Sequence, residues 1–356
     1  MAQGAGRRIA VVLFNLGGPD GPEAVRPFLF NLFSDPAIIE APAIVRRPLA
    51  SLISRARNAS ATANYALMGG GSPLLPETVA QAVVLEAALN QVLPDAVLKI
   101  VIAMRYWKPF TEQAAREVAD FAPDEVVLAP LYPQFSPSTT GSSLKAWDTA
   151  YHGPGRVRSI CCYPTLAGLV EAHATRIEEA WADAGEPGGV RLLFSAHGLP
   201  ERMVQRGDPY ESQIEATAAA VAKRLGPRWS DWRVCYQSRV GPMKWLGPST
   251  LDAIETAAGE GLGVVIAPIA FVSEHVETLV ELDRDYAEKA AALGCSPYIR
   301  APALGVQAAF IAGLAGAVAR ALGQPVGAYP GSGFACEPAW GKCPSRQNHS
   351  RTGEAA

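Results

Sequence analysis

The chain carries no excess of positive charge: 31 Lys and Arg stand against 34 Asp and Glu, a net charge of −3 at pH 7. Without a basic surplus to displace counterions, nucleic acid is excluded as the main partner. Apolar runs of bilayer length are missing as well. The longest apolar helical segment, residues 308–319, is too short and too rich in small side chains to span a membrane. Residues 1–8 are short and polar and lead straight into a strand pattern, so no secretory leader is expected and the chain reads as cytoplasmic. Six cysteines in 356 residues exclude a small disulfide-stapled secreted domain. Several signatures are also absent. Asn15-Leu16-Gly17-Gly18-Pro19 lacks the spacing of a dinucleotide fingerprint. The glycines at 69–71 follow no clear strand and lack the Lys-Ser/Thr of a phosphate-binding loop, so they read as a tight turn that lets backbone approach a large ligand. No G-x-S-x-G elbow appears, which disfavours nucleophilic hydrolysis.

What is present is an alternation of strand and helix. Apolar strand patterns occupy residues 9–14, 98–104 and 125–132 in the first half, and 190–196, 233–238 and 264–271 in the second. Helical patterns at 77–92, 111–121, 166–184, 210–225, 249–259, 276–293 and 306–322 separate them. Residues 126–131 (VVLAPL) echo 264–269 (VVIAPI). This order predicts an α/β fold of two doubly wound, Rossmann-like lobes whose parallel sheets face a central cleft. The expected lobes are residues 1–163 and 164–322, with a Cys-containing tail at 323–356 and the last helix free to pack back on the first lobe. Residues 25–57 do not fit the alternation. They mix apolar clusters with Arg46, Arg47, Arg55 and Arg57, and read either as a core helix pair or as a cleft lip resting on an anionic membrane surface.

The most informative stretch is residues 274–285. On a helix, Glu274, Glu277, Glu281 and Asp285 share one face, and His275 stands at its start. Such a row is either a solvated face or a track for protons or a cation. It begins where the buried strand 264–271 ends, the place where open α/β sheets put their sites. His197 lies at the end of another strand of the same half, beside Gly198. Residues 133–143 form a hydroxyl-rich loop that suits either a helix cap or a carboxylate grip. Arg105, Tyr106, Trp107, Tyr132 and Trp245 at strand ends describe a pocket for a flat, apolar, anionic ligand, with scattered core aromatics as the plainer reading.

Taken in order, residues 14–19, 69–73, 105–106, 131–143, 195–200, 237–248 and 274–285 closely resemble the ferrochelatases, over most of residues 8–322. The resemblance implies an enzyme, a lyase that inserts Fe²⁺ into a porphyrin with release of two protons, protoporphyrin IX being favoured over coproporphyrin III. It implies His197 and Glu277 as catalytic, both serving the iron substrate, with His275, Glu281 and Asp285 as a relay. Asn15, Leu16, Tyr65, Arg105, Tyr106, Tyr132 and Trp245 would contact or flank the macrocycle. Some members carry a [2Fe–2S] cluster on tail cysteines plus an internal one. Cys161, Cys162, Cys336 and Cys343 are the candidates here, although a third tail cysteine is missing and His349 is the only other tail ligand. The resemblance also admits a homodimer and peripheral membrane contact through 25–57. A non-catalytic porphyrin or haem carrier, which needs no acidic relay, and a cobalt chelatase are the competing readings.

Overall fold

The computed structural model describes residues 6–239, 241, 243–337 and 339–346. His349 lies outside the described residues. The first lobe begins with β1 (Arg8–Asn15), then α1 (Pro22–Phe33), α2 (Ala43–Ala66) and α3 (Leu74–Val92). It continues through β2 (Val97–Met104), α4 (Thr111–Phe121), β3 (Glu125–Pro130), a short π-helical turn (Pro137–Gly141), α5 (Ser142–Ala150) and β4 (Arg156–Ile160). Next come α6 (Ala167–Asp183), β5 (Val190–His197), α7 (Glu201–Gln205), α8 (Tyr210–Leu225), β6 (Trp232–Gln237), α9 (Thr250–Gly259) and β7 (Gly263–Pro268). A π-helix (Glu277–Tyr286) runs into α10 (Ala287–Ala292), and β8 (Tyr298–Arg300), α11 (Ala308–Leu322) and β9 (Gly327–Tyr329) close the chain.

All strand pairs are parallel, in two sheets ordered β2-β1-β3-β4-β9 and β6-β5-β7-β8. In each, the chain first steps to one side of its opening strand and then to the other. The order therefore reverses between β1 and β3 and again between β5 and β7, which opens a crevice at the carboxyl ends of those strands.

The strands are buried on both faces because alternate residues feed different layers. Ile9, Val11 and Leu13 pack with Leu85, Leu89 and the α11 residues Phe310, Leu314 and Val318, while Ala10, Val12 and Phe14 pack with Val118 and Trp147 on the other face. In the second sheet Leu192 and Phe194 meet Ile177, Ile214 and Val221, and Leu193 meets Ile254 and Ala257. Each such aliphatic side chain contributes roughly 2 kcal/mol through its burial. α6 belongs to both cores: Leu169 and Ala172 join the first, Val170, Ala174 and Ile177 the second. The last helix does pack on the first sheet, and the tail goes further, because β9 pairs with β4 as a fifth strand of that sheet. Residues 327–329 and 298–300 escape a periodicity reading because three residues are too few to show one.

The strand ends away from the crevices are fastened by charge. Buried Glu125 at the start of β3 receives Arg7, Arg156 and Arg158. Buried Arg191 near the start of β5 pairs with Asp231 and Glu260. Three arginines outweigh the burial that would otherwise raise the Glu125 carboxyl, and hold it below its ordinary range.

Candidate active site

The two crevices face one another and enclose a hollow of about 220 Å³ that opens to solvent. The first lobe contributes Asn15 and Leu16 at the end of β1 and Leu131, Tyr132 and Gln134 beyond β3; the second contributes His197 at the end of β5 and residues 270–273, His275 and Glu277 beyond β7. Leu32 and Ile38 close one flank from the lip. Ser138 and Thr139 bring hydroxyls to it from the π-helical turn. Ser136 serves that turn as its cap, accepting from the Ser138 amide at 3.2 Å.

His197 and Glu277 meet within this hollow, Nε2 to Oε1 at 3.7 Å. The other carboxylate oxygen of Glu277 lies 3.6 Å from His275 Nε2. A methyl group on Gly198 would sit 2.8 Å from the Gln237 carbonyl, so only glycine lets the chain after His197 lie against the end of β6. His197 Nδ1 is 2.6 Å from the Gly198 carbonyl. That contact selects the tautomer with the proton on Nδ1 and leaves Nε2 as a lone pair aimed into the hollow. Burial alone would raise the Glu277 carboxyl; the His197 and His275 imidazoles outweigh it and pull the group down to about 2. Three buried polar atoms here, Tyr132 Oη, His275 Nδ1 and Glu277 Oε2, have no hydrogen-bond partner among the described residues. Unmatched polar atoms in a hollow of this kind mark a ligand site.

The acidic row is shorter than the α-helical spacing suggests. Residues 277–286 wind as a π-helix, and Glu274 lies before it. Glu274 is turned away to Arg300, at 2.6 Å, and to the Ala303 amide. Glu277, Glu281 and Asp285 remain together along a second cavity that shares Glu277 with the first. Glu281 is held by the Ser238 amide at 2.8 Å, the Ser238 hydroxyl and Tyr286 Oη at 2.8 Å. Ser238 adopts a left-handed φ of 58° to make both contacts.

The other expected macrocycle residues divide. Asn15, Leu16 and Tyr132 line the hollow. Tyr65 and Tyr106 are instead buried in an apolar cluster with Val25, Phe28 and Leu29 of the lip. Arg105 is engaged by Asp35 at 2.7 Å, and Tyr106 Oη donates to the same carboxylate at 3.0 Å. Trp245 packs over Gly198 behind His197. Just after the glycine turn at 69–71, the Ser72 amide donates to the Pro19 carbonyl at 2.7 Å, and a methyl on Gly18 would sit 2.4 Å from Ser72, so this turn lies against the β1 loop.

Four thiols converge away from the hollow. Cys161 and Cys162 follow β4 with their sulfurs 3.5 Å apart, and Cys336 and Cys343 in the tail are 3.4 Å apart. Cys161 lies near Cys343 and Cys162 near Cys336, so the two pairs adjoin. Ser345 touches both tail sulfurs at 3.1 Å, and Gln213 Nε2 donates to Cys162 at 3.5 Å. No three His, Cys, Asp or Glu side chains among the described residues are set around a single ion position.

The ferrochelatase family model matches residues 8–322. The chain belongs to the ferrochelatase family. A ferrochelatase of Caulobacter vibrioides is 62% identical over 345 residues, 97% of this chain and 99% of its own. One of Hyphomonas neptunium is 53% identical over 352 residues, 98% of each chain. Among solved structures, a multi-domain protein of Deinococcus radiodurans described as similar to chelatases matches with a TM-score of 0.52 at 16% identity. It covers 97% of this chain and 60% of that one, a likeness of fold alone.

Sequence patterns gave no hint of Asp208. This residue is 2% exposed, accepts from the Ser136 hydroxyl at 2.7 Å and the Tyr210 amide at 3.0 Å, and is raised by burial to about 6. The folded carboxyl keeps its proton up to about pH 6, whereas an unfolded one releases it near 3.8. Folding therefore holds a proton across that window, and this contribution to stability is full below it and lost as pH rises through it. Urea denaturation from pH 4 to pH 6.5 should show a decline of at most about 3 kcal/mol from this group, and Asp208→Asn should remove that part of the slope. An unchanged slope in the variant would show that Asp208 is ionised throughout.

Proposed function

We propose that this chain inserts Fe²⁺ into a porphyrin, protoporphyrin IX in preference to coproporphyrin III, forming haem and releasing two protons. The observation that carries the reading is the His197–Glu277 contact inside a hollow built from both lobes. Insertion requires a base for the pyrrole N–H groups and an ionised group to receive iron or protons beside it. His197 Nε2 is the base, its tautomer fixed by Gly198. Glu277, ionised between two imidazoles, stabilises the imidazolium that results and is the junction to Glu281 and Asp285 in the second cavity. That second cavity is the route by which Fe²⁺ enters or protons leave. Oxygen and imidazole ligands bind Fe²⁺ weakly enough to surrender it, which thiolates in the hollow would not.

The lining favours protoporphyrin. Leu16, Leu32, Ile38, Leu74, Leu131 and Phe271 are apolar, hydroxyls come from Ser138 and Thr139, and no Lys or Arg is among the lining residues. Two propionates leave less charge to match against these leucines than four carboxylates would. A non-catalytic carrier is disfavoured by the ionised carboxylate beside the base.

With Fe²⁺ under anaerobic, reducing conditions, the protein should turn over protoporphyrin IX faster than coproporphyrin III. His197→Ala and Glu277→Gln should each lower kcat by about 100-fold or more while porphyrin still quenches tryptophan fluorescence. Near-normal turnover in both variants would remove this mechanism.

The two thiol pairs support the reading of a [2Fe–2S] cluster, because each iron of such a cluster takes two thiolates. A bound cluster would tie the tail to the end of β4. Anaerobically purified protein should show iron–sulfur absorption that disappears in Cys336→Ser. A colourless wild type free of acid-labile sulfide would defeat the assignment.

The lip favours contact with an anionic membrane surface. No helix among the described residues is long and apolar enough to cross a membrane. α2 nevertheless exposes Ile44, at 84%, together with Val45, Leu49 and Leu52, beside exposed Arg47 and Arg55. Arg46 and Arg57 are taken up internally, by the Ser34 carbonyl and the Phe33 ring. Vesicles containing phosphatidylglycerol should co-sediment the protein, and Ile44→Glu with Leu52→Glu should abolish it. Equal sedimentation of wild type and double variant would refute a lip-mediated contact.

A further inference from the structure

One face of α3 carries three polar residues that no feature of the sequence singles out, and each reaches a part of the site. Thr78 Oγ1 receives the Asn15 amide at 3.0 Å. Glu77 Oε2 receives the Glu274 amide at 2.9 Å. Gln81, 1% exposed, uses all of its carboxamide. Its Nε2 donates to the Val272 carbonyl at 2.8 Å and the Gly305 carbonyl at 3.0 Å, and its Oε1 accepts from the Ser273 hydroxyl at 3.2 Å.

Two of the partners of Gln81, Val272 and Ser273, belong to the segment that leads into His275 and Glu277. Val272 and Ser273 themselves line the hollow. This segment is loop rather than strand or helix, so regular backbone pairing does not fix it. Within the second lobe it is held by the Gly305 amide on the Val272 carbonyl at 2.9 Å and by Arg300 and the Ala303 amide on the Glu274 carboxylate. Further hydrogen bonds, to Val272, Ser273 and the Glu274 amide, come from a helix rooted in the first lobe. A buried amide that satisfies two carbonyls and a hydroxyl at once permits one arrangement of them.

We propose that Gln81 is a positioning residue for the insertion reaction, holding the Val272–Ser273–Glu274 segment of the second lobe so that Glu277 faces His197. It touches neither the macrocycle hollow nor the reacting atoms, and acts through the loop. The inference rests on the iron-insertion reading above. Gln81→Met keeps the length and bulk of the side chain and removes all three hydrogen bonds. A displacement of the carboxylate by a fraction of its 3.7 Å separation from His197 is enough to lower kcat by about tenfold or more. KM for porphyrin, set by the apolar walls, should stay within about twofold.

The test compares full-length wild type, Gln81→Met and the milder Ser273→Ala by steady-state kinetics and by amide hydrogen exchange of residues 272–279. Support is a drop in kcat at nearly constant KM together with faster exchange confined to that segment, smaller in Ser273→Ala. A variant with unchanged kcat per folded molecule and only a lower melting temperature would make Gln81 a scaffold residue and overturn the proposal. Unchanged exchange of the segment would overturn it too. Should Gln81→Met not fold, Ser273→Ala alone decides by the same two readouts. If wild type inserts no iron, the function reading fails, while the exchange data still decide whether Gln81 holds the loop.

Discussion

A carboxylate inside a largely apolar hollow needs polar partners beside it, and Glu277 has two imidazoles. His197 approaches from the end of β5 and His275 from the loop beyond β7. That pairing dictates much of the remaining architecture. β5 and β7 have to be neighbours with their carboxyl ends on the same side, which parallel pairing with an order reversal between them provides. The first lobe repeats the same reversal between β1 and β3, so that the two crevices complete one chamber. Tyr132 and Asn15 from the first lobe then line the same hollow as His197 and Glu277.

Chemistry and cohesion are kept at opposite ends of the sheets. At the far ends, Glu125 is matched by three arginines, and Arg191 is matched by two carboxylates. The same device appears with its signs exchanged in the two lobes. Because these ends are fastened by charge and the layers by aliphatic burial, the loops at the other end carry little of the stability and can hold groups chosen for function. α6, with one face in each core, and α3, with its polar residues on the loop after β7, keep the lobes in register.

Much of this was legible from residue patterns. The six long strands are largely apolar runs, and such runs between helical periods have few other homes than a parallel sheet. His197 and the region of Glu277 stood out because each falls where such a run stops. Tertiary partners were not legible. Glu274 sits in the acidic row by spacing, but Arg300, twenty-six residues later, draws it out. Arg105 looked free to meet a carboxylate until Asp35 was found against it. The π-helix over 277–286 cannot be told from an α-helix by a short polar pattern, and Gln81 resembles any glutamine on an amphipathic helix. Local periodicity reports which face is buried, and says nothing about which distant group a polar atom will meet.

The tail's place in the first sheet has a consequence for the newborn chain. A ribosome releases β1, β2 and β3 early, yet the layer that covers Ile9, Val11 and Leu13 includes Phe310, Leu314 and Val318, and the sheet's outer strand is residues 327–329. The amino-terminal half therefore waits, partly uncovered, until residues 310–329 have been translated. Truncation before residue 308 strips cover from the oldest part of the molecule rather than from its neighbour in sequence.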